Sequence, residues 1–446
     1  MFNRIYGHIL FISNLNQIKS GEDLLFMSTD LNLRSRDYWK RMGWGLSLGL
    51  LSAIGAFIFI FLMTLGQSLI LPKLTDWTPF TGPWWIIIVM TAAGFLVGLI
   101  HRHTTAQQMD VFKAVKDGYL DPEPVPSSLL ISLISLITGF CLGPEVPTGM
   151  LSAGLGSWVS KLRGMNSDKT KINVQSGIAG AYAGLFSSPV VVLLMLLESD
   201  HKQSVNYYGT LLIAGLAATV GFGLFYVLNG MNVSSLLGIL SPPAYHLSIY
   251  DLVASIGLGI LAVPFALLFV IMTKAFSNIV KPLNNTPILR GVLGGFLLGL
   301  LAFILPTTIG LGTTQMPIIT QQAAEIGVLL LIVFALAKLV ALSGALNFGF
   351  IGGPIFPLLF VGSSLGSAIH LIFPQIPLGL ALGCMIVAVP AAIVPIPLAL
   401  AAIGIVIIGL PASDILPVFI AALVAFSITH GLGLGSSNKE KPVQKV

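Results

Sequence analysis

Charge is what this chain of 446 residues has least of. It carries 22 basic and 17 acidic residues, together 9%, where a soluble domain carries about 25%. Ten of those charges fall in residues 1–41 and four in 436–446, leaving 25 spread over 42–435. With 55% hydrophobic residues as well, this excludes a water-soluble enzyme and reads as an all-α polytopic membrane protein with short polar ends. Cysteine is equally scarce. Cys141 and Cys384 each lie in an apolar run, which excludes a disulfide framework, a thiolate metal centre and a CxxC redox pair. There is no HExxH helix and no Walker phosphate loop, and the net charge of +5 comes without a basic, aromatic-rich patch. Neither a metal, a cofactor nor a nucleic acid is therefore expected as a partner. The alternating glycines of Gly431 to Gly435 follow no strand, so they do not carry dinucleotide binding.

What is present is a succession of apolar runs, over roughly 43–71, 84–100, 128–142, 146–160, 174–197, 208–228, 250–273, 288–305, 326–346, 355–373, 378–410 and 415–430. Several approach the ~20 residues that cross a bilayer; others are shorter and stop beside Gly and Pro. Helices that break inside a membrane are tolerated only where the irregular backbone is buried or lines a watery cavity, so the breaks point to a transport path. Arg34, Arg36, Lys40 and Arg41 precede the first run, which places the N-terminus in the cytoplasm of a cell membrane. The loop with Lys161, Arg163, Lys169 and Lys171 is expected on the same side. Residues 1–41 read as a cytoplasmic segment, 42–435 as one membrane domain and 436–446 as a polar tail. Residues 1–26 lack the apolar core and cleavage pattern of a signal peptide, and Met27 opens a more ordinary start, so translation is expected to begin there.

Residues 139–157, GFCLGPEVPTGMLSAGLGS, and 349–367, GFIGGPIFPLLFVGSSLGS, agree at eight of 19 positions and share the spacing GFxxGPxxP-x7-LGS. Ser188-Pro189 is answered by Ile396-Pro397. The membrane domain thus reads as a duplication, about 42–235 and about 245–435. Paired Gly/Pro-interrupted segments in corresponding halves are the best sequence pointer to a binding site near the bilayer midplane.

Each break runs Gly-Pro-x-x-Pro into an apolar helix: Gly143, Pro144 and Pro147 in the first, Gly352, Gly353, Pro354 and Pro357 in the second. Proline fits the first helical turn because its missing N–H would have no partner there. The residues just after each break therefore offer free N–H groups and the positive end of a helix dipole. Two such ends converging at mid-membrane make an anion site. Glu145 stands in the first break, where its carboxylate is favoured by the dipole and can fill the anion's place itself. Protonation or displacement would free the site, making Glu145 a gate and a candidate proton carrier. Lys338 lies in the run before the second break, where it either raises the local potential or pairs with a buried carboxylate or carbonyls. Glu198 reads as a solvated helix end, Glu325 and Asp414 as helix caps, and His101 and His103 as interfacial loop residues. Ser363 and Ser364, with His370 or His430, sketch an intramembrane hydrolase, but the sequence sets no base beside them.

These residues resemble the CLC family of voltage-gated chloride channels and chloride/proton antiporters, over most of 42–435, as a divergent prokaryotic branch. Gly143-Pro144-Glu145-Val146-Pro147 is similar to the family's G-[RK]-E-G-P, Gly353 to Pro357 to its G-x-F-x-P, and Gly177 to Pro189 to its Gly-rich helix ending in N-A-P. Lys338 precedes Gly352 at the place of a basic residue the family often has. The resemblance implies a CLC-like fold of two inverted-topology repeats with broken and re-entrant helices. It also implies a homodimer with one pathway per subunit, Glu145 as gating glutamate, and backbone N–H groups of Val146, Ile355 and Phe356 as anion ligands. Departures are plain. Pro144 and Val146 replace a basic residue and a glycine, and Pro354 removes a backbone donor. Ser199 aligns with the inner proton-transfer glutamate, and the C-terminal tyrosine has no counterpart around Gly435 to Asn438. HRHTTAQQ takes the place of the filter serine motif, where Thr104 or Thr105 offers a hydroxyl. The expected function is transport of inorganic anions, chloride first, gated by Glu145 and channel-like or loosely proton-coupled. The alternatives are a tightly coupled chloride/proton antiporter using Glu145 with Glu198 or Asp200, a transporter for another anion such as fluoride, and, remotely, the hydrolase.

Overall fold

The computed structural model describes residues 35–71, 82–199, 207–230, 240–243, 245–411 and 414–433. The expected start at Met27, most of the N-terminal segment, Asp200 and the 436–446 tail lie outside the described residues. Helices α1 to α8 are Arg36–Ile70, Trp85–His103, Val111–Asp117, Val125–Ile137, Glu145–Leu162, Ser167–Leu185, Pro189–Ser199 and Tyr207–Leu228. Helices α9 to α17 are Ile249–Val280, Pro287–Ile304, Gln315–Gln321, Ala323–Ile326, Val328–Phe348, Ile355–Ile372, Leu378–Ala391, Pro397–Ile408 and Ile415–Gly431. Seven of them are long and apolar enough to cross a membrane, and the described residues hold no sheet.

Two apolar runs divide where proline forces it. The run 174–197 splits into α6 and α7 at Ser187, whose φ of 53° turns the chain before Pro189. The run 378–410 splits into α15 and α16 ahead of Pro397. In both, proline opens the second helix because it cannot continue the first without losing a hydrogen bond. Helices α3 and α11, seven residues each, are too short to leave a span signature in the sequence.

The order of elements repeats. α1 to α8 are matched in turn by α9, α10, α11, α13, α14, α15, α16 and α17, with the single turn α12 added. The packing repeats with it: α1 lies on α6 and α8 as α9 lies on α15 and α17, and α5 lies on α6 as α14 lies on α15. α2 and α10 pack on each other across the two halves. They run antiparallel and touch at Gly94 and Gly291, where a Cβ on either would collide with the other's carbonyl. Small residues allow this backbone approach, which replaces the missing hydrophobic drive between helices in lipid. α14 is the most enclosed of the long helices.

One side of the molecule brings Lys40, Arg41, Arg163 and Lys169 together. Lys169 pairs with Asp37 at 3.5 Å and Arg163 sits 5.4 Å over the Trp44 ring, joining the α5–α6 turn to the start of α1. Gln107, just after α2, exchanges hydrogen bonds with Ser128 at the start of α4, while Leu136 near the end of α4 is held by Gln67 near the end of α1. α2 therefore ends on the side where α1 begins. There Pro287 and Ile288 of α10 pack on Gly98.

Candidate anion site at the meeting of two helix breaks

The two breaks meet. Gly143 N–H donates to Gly353 O at 2.7 Å and Gly353 N–H to Gly143 O at 2.8 Å, forming an isolated antiparallel bridge. Beside it Phe140 and Phe350 stack with centroids 3.7 Å apart. Each break then opens a helix with proline on both sides of its first turn. Thr148 N–H bonds Pro144 O and Leu358 N–H bonds Pro354 O, and Pro147 and Pro357 have no N–H. The donors without an intrahelical partner are thus Glu145 and Val146 on α5, and Ile355 and Phe356 on α14.

The Glu145 carboxylate fills the space before α14. It is 1% exposed, and its Oε1 accepts a 2.6 Å hydrogen bond from Ile355 N–H. Its Oε2 has no hydrogen-bond partner among the described residues. Gly143 and Gly353 form the slot: a Cβ on either would run into the carboxylate. A carboxylate at a helix N-terminus gains up to about 2 kcal/mol in partly buried geometries. The backbone of Glu145 is fixed in turn by Tyr182, whose hydroxyl donates to Glu145 O at 2.6 Å. Tyr182 meets Phe186 edge-on, and Phe186 stacks on Phe356. Tyr182 lies in α6 and Phe186 is its C-cap, both within the Gly-rich segment Gly177 to Pro189.

The other sequence candidates separate. Lys338 is 0% exposed and caps a loop, its Nζ donating to Thr307 O (2.9 Å), Ile309 O (3.2 Å) and Gly310 O (2.9 Å) while lying over the Phe360 ring. Of the partners considered for it, the structure provides carbonyls. Thr104 and Thr105 are exposed, and the Thr104 hydroxyl donates to Ile100 O at 2.7 Å at the end of α2. Gln108 reaches the second break: its amide donates to Gly352 O at 2.9 Å and accepts from Gly352 N–H at 3.3 Å. The amide offers a donor and an acceptor on separate atoms, so it serves both backbone groups at once.

Glu198 is no solvated helix end. Its Oε1 accepts from Leu398 N–H at 2.7 Å and its Oε2 from Ala399 N–H at 2.9 Å, so it caps α16. A glutamate of the first half thus covers a helix N-terminus of the second half twice. His101 belongs to α2 and bonds Gly349 O at 2.8 Å. Glu325 falls in α12, and Asp414 stands at the N-cap of α17 without a side-chain cap bond. Ser363 meets Thr320, Ser364 bonds Leu331 O, and His370 bonds Ile376 O. No catalytic base faces either serine among the described residues.

Residues 102–430 match the voltage gated chloride channel family. The chain is 27% identical over 321 residues to the "Putative ion-transport protein YfeO" of Escherichia coli O7:K1, covering 69% of this chain and 73% of that one. It is 26% identical over 383 residues to the protein of that name from Salmonella newport, covering 81% and 87%. Among solved structures, a slow cyanobacterial Cl-/H+ antiporter shares the fold with a TM-score of 0.73 at 18% identity, over 88% of this chain and 95% of that one. A CLC-type fluoride/proton antiporter shares it with a TM-score of 0.65 at 19% identity, over 89% and 95%.

Proposed function

The chain belongs to the voltage gated chloride channel family and is a membrane anion transporter, not an enzyme, and we propose that Glu145 gates its pathway. The hydrogen bond from Ile355 N–H to Glu145 Oε1 carries the reading. A carboxylate holding a helix N-terminus occupies the place an inorganic anion would take, so the two compete for the same donors. Val146, Ile355 and Phe356 are the backbone ligands of the displaced state, and chloride is the first substrate to test. Pathway opening is then a swing of one side chain, with Gly143 and Gly353 leaving room for whichever anion is seated. The subunits pair as a homodimer, and the basic side faces the cytoplasm by the positive-inside rule. Efflux of chloride from vesicles carrying the purified protein tests this: chloride flux above protein-free vesicles is expected, retained in Glu145→Gln. Absence of flux of both chloride and fluoride rejects it.

A second reading, proton-coupled exchange, draws on the two antiporter structures that share the fold and on Glu198, a half-buried carboxylate at the start of α16. Against it, both Glu198 oxygens are engaged by backbone donors at the start of α16, so moving a proton through Glu198 would break a helix cap. A reversal potential that follows an imposed proton gradient selects the coupled reading; one that ignores the gradient selects the channel-like reading.

A further inference from the structure

A cavity of about 460 Å³ opens on the basic side of the molecule, where α9, α10 and α13 meet. Its polar lining is Ser277, Asn278, Lys281, Asn284, Arg290 and Asn347, two cations and no carboxylate. Neither Lys281 nor Arg290 forms an ion pair among the described residues. Arg290 is half-buried and spends its Nε on Asn347 O at 3.1 Å, leaving the rest of the guanidinium fork available. Val280 and Leu346 close the floor, while Ile279 and Leu289 stand exposed beside it at 65% and 48%.

We propose that this cavity binds the phosphate headgroup of an anionic phospholipid, with the acyl chains lying over Ile279 and Leu289. The chemistry is that of a phosphate seat. A guanidinium fork engages two phosphate oxygens, an ammonium adds a point charge, and neutral amides complete the hydrogen bonds. Basic pockets between membrane helices, at the level of the lipid headgroups, recognise anionic lipids in this way. Exposed aliphatic side chains beside the cavity favour a lipid over a free phosphate ion. The site also touches the transport machinery. Arg290 holds Asn347 O and lies against Gly349, which ends α13 with φ +99° and whose carbonyl is held by His101. Three residues later Gly352 and Gly353 form the second break. A bound headgroup therefore fixes the end of the helix from which that break departs.

Native mass spectrometry of the purified full-length protein, titrated separately with phosphatidylglycerol, phosphatidylcholine and inorganic phosphate, tests the assignment. Phosphatidylglycerol retention is expected to fall about fivefold in Lys281→Gln, and further when Arg290→Gln is added. Lys274→Gln, on α9 and outside the cavity lining, is expected to retain it as the wild type does. Lys281 is exposed, so its replacement reads binding without touching the packed core, should Arg290→Gln fail to fold. Equal retention in Lys281→Gln and the wild type, or equal loss in Lys274→Gln, overturns the site. Binding of inorganic phosphate without selective retention of phosphatidylglycerol overturns the lipid as its occupant.

Discussion

The carboxylate of Glu145 accepts a 2.6 Å hydrogen bond from the N–H of Ile355, the residue 210 positions later that holds the same place in the second break. The gate of one half is therefore seated on the helix end of the other. Its hold is charge-assisted, and such a bond contributes about 1.5–3 kcal/mol. Protonation removes the charge and weakens the hold, so anion flux is expected to rise as pH falls. Glu145→Gln lacks the titrating group and is expected to give flux that is flat across the same range. Chloride efflux measured from acid to neutral pH checks both, and a Glu145→Gln protein that kept the wild-type pH profile would count against the gate.

Gly353 has no room for a side chain, because a Cβ there runs into the Glu145 carboxylate. The same space would hold the displacing anion. Gly353→Ala is thus expected to lower flux at least tenfold, the equivalent of about 1.4 kcal/mol, and Glu145→Gly added to it is not expected to restore transport. Recovery in the double variant would show that the alanine acts only by jamming the gate.

Gln108 holds both backbone groups of Gly352. Gln108→Leu leaves a buried carbonyl and N–H unpaired, at a cost of about 1–3 kcal/mol for each group left dry. The Gln108 side of this contact is exposed while Gly352 is buried, so solvent meets part of the cost and the loss sits at the low end in stability. It is expected instead in the ratio of chloride to fluoride flux, as the second break loses its fixed position. Gln108→Asn, with a shorter amide, is expected to lie between the wild type and Gln108→Leu. An unchanged ratio in Gln108→Leu would remove the positioning role.

Much of this arrangement was legible in the sequence, and the reason is local. Gly, Pro and Glu at the breaks act through backbone rules that hold wherever the chain goes, so Gly143 and Glu145 could be named from the break itself, while Ile355 came with the family resemblance. The Gly143–Gly353 bridge realises the spacing shared by the two breaks as contact. Lys338, Gln108 and Glu198 act through partners at sequence separations of 28 to 31, 244 and 200 to 201 residues. No local pattern encodes such partners, so the carbonyls under Lys338 stayed one option among several. Gln108 offers an amide where the family resemblance points to a hydroxyl, and the polar neighbours Ser199 and Asp200 give Glu198 the local look of a solvated helix end. The short helices α3 and α11 left no span signal, and with them went the position of Gln108, just ahead of α3.

Lys338 is the buried cation with the clearest division between a structural and an electrostatic role. Its Nζ satisfies three carbonyls of one loop. Met at this position keeps the length and packing against Phe360 but leaves Thr307 O and Gly310 O without their donor, while Ile309 O keeps the Gln315 amide at 3.1 Å. The desolvation cost of the buried ammonium is relieved at the same time, so the net loss is about 2–4 kcal/mol. Lys338→Met is therefore expected to unfold in detergent at a clearly lower temperature than the wild type. Flux per folded molecule, and its dependence on chloride concentration, are expected to stay close to wild type, because no donor of Lys338 is directed at the breaks. Thermal unfolding and chloride efflux measured on the same preparation check this. A normal unfolding temperature combined with weakened chloride dependence would move Lys338 from the loop to the anion's electrostatic field.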